Sequence, residues 1–457
     1  MTASDRRPNI LLITVDDMDA RSPGCFGGPA GLTPHIDALA ATGARFPEAH
    51  VVAAVCQPSR SAIMTGRYPH RNGAEGFEPI HDGVPVLTDA LREAGYALGI
   101  LGKVTHLAPV ERFGWEHARD MAELGQGRDP GRYRAEAAAF LDTAVAADRP
   151  WFLMANMHDP HRPFHGSAAE AEKFGDDVGT AIPAPDLVPA VGEHPLPGFL
   201  PDLDGVATEY AQYLASVRRC DQVVGAVTAA VREHGGDRDT VVAFLSDNGM
   251  AFPFAKANCY LQSTRTPFVL VWPGVTTPGS VHEGDRFTML DLLPTFCEVA
   301  GVPVPDGAGG SSLGPRLRDG AQPEPDRTVV TVFHETSAQG RYEMRCAQDS
   351  AHGYIWNAWS DGERQYRAEN MHGLSWAAMQ DSTDPSVRAR REFYLRRAPE
   401  ELYALRADPH ALSDLATDTA HATVLDDYRE RLRSWMTETG DPLLDRFEVE
   451  VLGRTAS

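Results

Sequence analysis

The sequence predicts an α/β protein whose mostly parallel sheet is covered by helices. Three observations carry that prediction. The apolar run Ile10-Leu11-Leu12-Ile13-Thr14-Val15 ends in Asp16-Asp17. The run Thr240-Val241-Val242-Ala243-Phe244-Leu245 passes through Ser246 into Asp247-Asn248-Gly249. Between such runs lie longer stretches with helical periodicity. Short apolar runs without alternation fit strands buried on both faces of a parallel sheet. Polar groups just past strand ends fit a ligand crevice at the carboxyl edge of an open sheet.

The elements follow in order. Residues 10–15 are the first strand and residues 33–43 a helix. Residues 56–65 read as a helix stopped by Gly66, with Pro58 at an N1-like place where its missing N–H costs nothing. Helices are expected at 86–95, 133–147 and 208–234, and strands at 98–101, 151–155, 240–245 and 267–272. Residues 176–201 are rich in Pro, Gly and acid, which fits a long surface loop. Residues 283–301 read as a further helix. The Pro/Gly-rich stretch 302–325 then places a boundary between a domain at 1–325 and a smaller α+β domain at 326–457. The smaller domain holds a strand at 328–333 and a last helix around 423–437.

Bulk properties narrow the function classes. A chain of 457 residues has room for a large core. Its net charge of −22 argues against nucleic-acid and anionic-membrane partners. An anionic small substrate stays possible, because screening confines distant charge to about 8–10 Å in physiological salt. The first apolar run is too short for a signal segment or a membrane span, so a cytoplasmic location is expected. The six cysteines form no Cys-x-x-Cys pair. Cys25, Cys220, Cys259, Cys297 and Cys346 are expected to be structural thiols.

The run Cys56-Gln57-Pro58-Ser59-Arg60-Ser61-Ala62-Ile63-Met64-Thr65-Gly66-Arg67 is the most specific motif. Cys56 would stand at the positive end of a helix, with Arg60 four residues on adding a fixed charge. This fits either an activated cysteine beside an oxyanion site or a buried cysteine at a helix start. Asp16, Asp17, Asp247 and Asn248 offer hard oxygen donors suited to Ca²⁺ or Mg²⁺, if the chain turns at both strand ends. Taken singly, each cluster reads equally as caps and turns. Asp19 reads as a loop residue.

The twelve-residue run resembles the signature of the type I sulfatases. That resemblance implies an alkaline-phosphatase-like fold. It also implies that Cys56 is oxidised to formylglycine by a formylglycine-generating enzyme, and that Asp16, Asp17, Cys56, Asp247 and Asn248 hold a divalent cation, usually Ca²⁺. Lys103 and His106 follow the strand at 98–101, His161 lies in His158-Asp159-Pro160-His161-Arg162, and Lys256 follows Asp247 by nine residues. By the same resemblance they grip sulfate and move protons, with Arg60 and Lys103 neutralising charge. His161 or Lys256 would assist the leaving group, and His106 would act as the later base. His158 is expected to be structural or peripheral.

Several segments resemble the heparan N-sulfatase (sulfamidase) subgroup: Glu172-Lys173-Phe174-Gly175, Phe252-Pro253 after Asp247-Asn248-Gly249, Tyr342-Glu343-Met344-Arg345, Glu401-Leu402-Tyr403, Asp408-Pro409-His410, Asp414-Leu415-Ala416 and 435–442. The implied reaction is removal of sulfate from the nitrogen of glucosamine in a small sulfated sugar. The alternatives are an aryl or alkyl O-sulfatase, a phosphonate or phosphate ester hydrolase, or an inactive binder of sulfated ligands if Cys56 stays a thiol. Three departures stand out. The Lys103–His106 spacing is one residue longer, Lys256 replaces an arginine, and residues 335–376 are hard to match. Arg162, His334, Glu335 and Arg345 are candidate substrate contacts, and a homodimer is left open.

Overall fold

The computed structural model describes residues 6–319 and 327–454. The expected boundary at 325/326 therefore lies outside the described residues. Before it come strands β1 (Asn9–Val15), β2 (Ala44–Phe46), β3 (Ala49–His50), β4 (Ala97–Leu101), β5 (His117–Arg119), β6 (Trp151–Asn156), β7 (Thr240–Ser246), β8 (Phe268–Val271), β9 (Ser280–Val281) and β10 (Phe287–Thr288). Eight of them form one sheet in the order β5-β4-β6-β1-β7-β8-β2-β9. The centre, β4, β6, β1 and β7, is parallel, while β8 runs antiparallel to both β7 and β2.

The apolar runs lack alternation because both faces of the sheet are covered. Leu11, Ile13 and Val15 point into one core with the helices Pro34–Thr42, Pro130–Ala146 and Asp204–His234. Ile10 and Leu12 point into a second core with Leu87–Glu93 and Leu292–Ala300. The expected helix at 283–301 is shorter: β10 and a 3-10 turn at Met289–Asp291 come first, and the α-helix begins at Leu292. Phe287 and Thr288 there pair with the distant strand β3, and Phe287 stacks on Phe268.

After the undescribed segment, β11 (Val329–Glu335), β12 (Arg341–Gln348), β13 (His352–Asn357) and β14 (Glu400–Ala404) form an antiparallel sheet. The helix Ala422–Thr439 packs on it through Leu425, Tyr428, Leu432 and Met436. This small sheet is joined to the larger body. Val332 N–H donates to the Val52 carbonyl at 2.8 Å, and Phe333, Met344 and Cys346 share the first core with Phe254 and Tyr260.

Register places the site. Val15 pairs with Ser246, Thr14 with Asn156, and Leu101 with Ala155, so the ends of four neighbouring strands lie side by side. Each leads at once into a sharp turn. Asp17 and Lys103 take positive φ of 65° and 53°. At Gly102 a Cβ would collide with the Asn156 carbonyl, and at Gly249 with that of Gln262.

Candidate active site

Cys56 opens the helix Cys56–Thr65, whose ten residues are all buried. Val55 is its extended N-cap, and Gly66, at φ 62°, closes it with an N–H bond to the Ala62 carbonyl. Pro58 is third in the helix and not first, still within the turn where a missing N–H breaks no bond. Cys56 thus faces outward from the positive helix end. Burial, then the nearby Asp16 charge, pushes its thiol pKa well above the ordinary value. The unmodified thiol is therefore a poor nucleophile here.

Arg60 is sealed behind Cys56. Its Nη2 lies 2.8 Å from Asp247 Oδ2 and 3.6 Å from Asp16 Oδ1. Its Nη1 donates to Thr14 Oγ1 at 2.5 Å and to Asn156 Oδ1 at 2.6 Å. It does not line the cavity, so its charge acts through the carboxylates it holds. Lys103 Nζ pairs with Asp16 Oδ2, and Lys256 Nζ lies 2.6 Å from Asp17 Oδ1 and 3.3 Å from Cys56 Sγ. Burial works against the charge on Lys256, but Asp17 outweighs it and raises the pKa. Burial likewise opposes ionisation of Asp16, yet Lys103 and His161 hold its pKa well below the usual carboxylate value. Asp247 is pushed the other way by burial and by the charge of Asp16.

The donor set fits a hard cation. Ligand atoms of Asp16, Cys56 and Asp247 lie within 4.8 Å of one another. Asp16 Oδ1, Asp17 Oδ2 and Asn248 Oδ1 are buried and accept no hydrogen bond from the described residues, while Asp16 Oδ2 is held by Lys103. Asn248 is oriented by its own amide, which donates to Asp17 Oδ1 at 2.6 Å and to the Gly249 carbonyl at 2.9 Å. Carboxylate and amide oxygens without donors are what Ca²⁺ or Mg²⁺ requires.

Above these groups is a cavity of about 350 Å³ lined by Cys56, Lys103, His106, His161, Arg162 and Lys256. His158 also lines it, which corrects its expected peripheral place. Its ring stacks on His161 at 4.7 Å, and its Nδ1 is 3.3 Å from Asp16 Oδ2. His161 Nδ1 donates to the Arg162 carbonyl at 2.6 Å, leaving Nε2 toward Asp17. Burial, then the charge of Lys103 for His106 and His158 and of Lys256 for His161, lowers the pKa of all three histidines, that of His106 to about 2.

The remaining candidates separate. Arg162 reaches the cavity while bound to the Ala251 carbonyl and to Glu209. Arg345 does not reach it. It is fully buried and forked onto Asp441, with Nε 2.6 Å from Oδ2 and Nη2 3.2 Å from Oδ1. His334 is also buried away from the cavity, 3.5 Å from Glu75, and Glu335 lies against Gly76. Both belong to β11, all of whose residues are buried. Sequence reasoning missed Phe77, Met121, Ser337 and Glu369, which line the cavity from four distant segments.

A family model described as Sulfatase matches residues 8–302. The chain belongs to the sulfatase family. It is 32% identical to human N-sulphoglucosamine sulphohydrolase over 96% of this chain and 91% of that protein. It is 24% identical to a Δ4,5-hexuronate-2-O-sulfatase of Bacteroides thetaiotaomicron, over 96% and 90%. Among solved structures, one in complex with its substrate D-glucosamine-2-N,6-O-disulfate superposes with a TM-score of 0.70 at 18% identity, covering 96% of this chain and 99% of that one. The phosphonate monoester hydrolase of Agrobacterium radiobacter gives 0.67 at 20%, covering 95% and 96%. At those identities the likeness is one of fold, the alkaline-phosphatase-like α/β architecture. This sulfatase is a hydrolase of sulfate esters or sulfamates.

Proposed function

We propose that this sulfatase removes the N-sulfate of glucosamine in a small sulfated sugar, using formylglycine formed at position 56 and a bound Ca²⁺ or Mg²⁺. The observation that carries the reading is the position of Cys56. It faces the cavity at a helix N-terminus, 3.3 Å from Lys256 Nζ and within 4.8 Å of the Asp16 and Asp247 carboxylates. The likeness to the human N-sulphoglucosamine enzyme across 96% of the chain supports the choice of substrate.

When present, the cation supplies positive charge against the sulfate oxygens and the oxidised side chain supplies the nucleophile. The rest falls to the residues of the chain. Lys103 and Lys256 flank Cys56 and are placed to bond sulfate oxygens. Lys256, held by Asp17 and 3.3 Å from Cys56 Sγ, is placed to give a proton to the departing nitrogen. His106 and His161 line the cavity beside Cys56, where a ring nitrogen of either can take up a proton. His161 is held in one tautomer by its Nδ1–H bond to the Arg162 carbonyl.

The test is sulfate release from N-sulfoglucosamine beside 4-nitrophenyl sulfate. The protein is co-expressed with a formylglycine-generating enzyme, and Cys56→Ala is the blank. A clear preference for the sugar is expected. Preference for the aryl ester would sink the N-sulfate assignment. The intact mass of the Cys56 peptide decides the chemistry separately, since a thiol mass in active protein removes formylglycine from the account.

A further inference from the structure

The cavity lining is chemically mixed. Cys56, Lys103 and Lys256 suit sulfate. Phe77, Ser337 and Glu369 reach the same cavity from other segments and bring no positive charge. Glu369 begins the 3-10 turn Glu369–Met371, in the long connection between β13 and β14. Its neighbour Asn370 is fully buried. Asn370 Nδ2 donates to the Lys256 carbonyl at 2.7 Å and the Phe252 carbonyl at 3.2 Å, and its Oδ1 accepts from Tyr394 Oη at 3.1 Å. These bonds tie the turn to the backbone of the sulfate-binding lysine. Glu369 is thereby fixed relative to Lys256.

Both carboxylate oxygens of Glu369 are buried, and neither accepts a hydrogen bond from the described residues. Its charge is felt by Lys256, but the Lys256 ammonium is engaged by Asp17 at 2.6 Å and by Cys56 at 3.3 Å. A buried carboxylate without donors is costly, and retaining one implies a partner that arrives from outside. Sulfate cannot be that partner, because the charges repel. An unsubstituted aryl ring cannot either, because it has no donor. The hydroxyl and N–H groups of a sugar can.

We propose that Glu369 is a specificity-determining residue, accepting hydrogen bonds from the O–H and N–H donors of the sugar beside the sulfated atom. This rests on reading the cavity as a sulfated-sugar site. It assigns sugar recognition to a segment that follows the small sheet's third strand, while the catalytic groups come from the large sheet. It also means that a second anionic substituent beside Glu369 is disfavoured.

The test compares wild type, Glu369→Gln and Glu369→Ala as matured enzymes, on N-sulfoglucosamine, 6-O-sulfoglucosamine and 4-nitrophenyl sulfate. The ratio of kcat/KM for the favoured sugar to that for the aryl ester should fall about 10–100-fold in Glu369→Ala, the worth of one charge-assisted hydrogen bond, with KM carrying most of the change. The thermal midpoint without ligand should hold or rise in Glu369→Gln, since an unpaired carboxylate has gone. An unchanged ratio overturns the inference, whatever the midpoint does. An equal loss on sugar and aryl ester with a lowered midpoint also overturns it, by showing a structural role. Activity on the O-sulfated sugar alone would end the N-sulfate reading and leave Glu369 to be judged on that sugar. A wild type that cleaves only the aryl ester overturns both.

Discussion

Arg60 shows how one side chain organises the site's charge. Its guanidinium has no exposed surface and joins Thr14, Asn156, Asp16 and Asp247 across the ends of three strands. Removing it would leave buried carboxylates uncompensated. Arg60→Met is expected to destabilise the fold by about 3–5 kcal/mol and to lower kcat by at least ~10²-fold, as loss of preorganised charge does. Arg60→Lys restores the charge without the fork and should recover stability more than activity. Denaturant unfolding and sulfate release measure the two effects; full activity in the lysine variant would show that the fork is dispensable. Cys56, Arg60, Asp16, Asp17, Asp247 and Asn248 were legible in the sequence because they sit in short contiguous runs. Thr14 and Asn156, which orient Arg60, left a weaker trace as polar residues ending apolar strands. Ser337 and Glu369 lie in the segment 335–376, where substrate contacts were expected, but not at the residues named there, and Phe77 left no trace, because only tertiary folding brings it to the cavity.

At the scale of elements, the segment carrying His158 and His161 owes its shape to a buried charge network. Asp159 receives Arg128 Nε at 2.9 Å and Arg219 Nε at 2.5 Å, and Arg219 Nη1 continues to Glu170 at 3.0 Å. Arg219 comes from the helix Asp204–His234 and Glu170 from the helix Ala168–Phe174. Asp159→Asn should therefore cost about 3–5 kcal/mol and also lower activity by freeing both histidines. The measurement is unfolding together with kcat; a destabilised but fully active variant would show that the histidines need no such support. Glu170 adds a pH signature. Burial alone would raise its pKa, but the His165 hydrogen bond and Arg219 lower it from 4.5 to about 2. Its folded value is below its unfolded one, so its stabilisation is present above pH 4.5 and lost as pH falls toward 2. Glu170→Gln should flatten the stability–pH curve in that window, and an unchanged slope would place the acid sensitivity elsewhere. Most elements were readable from periodicity, because both faces of the sheet are buried and both cores demand continuous apolar runs. The start of the Leu292–Ala300 helix was not, since Phe287 and Thr288 pair with the distant strand β3 and the Thr288 N–H donates to Asp291 Oδ2 at 3.0 Å.

For the whole molecule, the question is how a chain of net charge −22 retains a sulfated substrate. The long-range field repels the ligand, so the attraction must be local. Within the site, however, the cations Arg60, Lys103 and Lys256 face the carboxylates Asp16, Asp17 and Asp247 in equal number. Each of these cations is already engaged by a carboxylate, which weakens its pull on an anion. A divalent cation on Asp16 Oδ1, Asp17 Oδ2 and Asn248 Oδ1, which accept no hydrogen bond from the described residues, would supply the missing positive charge. Exhaustive chelation is accordingly expected to lower kcat/KM by at least ~10²-fold, the several kcal/mol that a metal contributes to charge stabilisation. Added Ca²⁺ or Mg²⁺ should restore it. A second readout needs no chemistry: in Cys56→Ala, titrating Ca²⁺ should raise the thermal midpoint, because an ion that binds only the folded state stabilises it. Raising salt toward physiological strength should meanwhile increase kcat/KM by screening the repulsive outer surface, the reverse of a steered enzyme. Chelated protein that keeps its full activity and shows no midpoint shift with Ca²⁺ would mean that the lysines alone hold the sulfate.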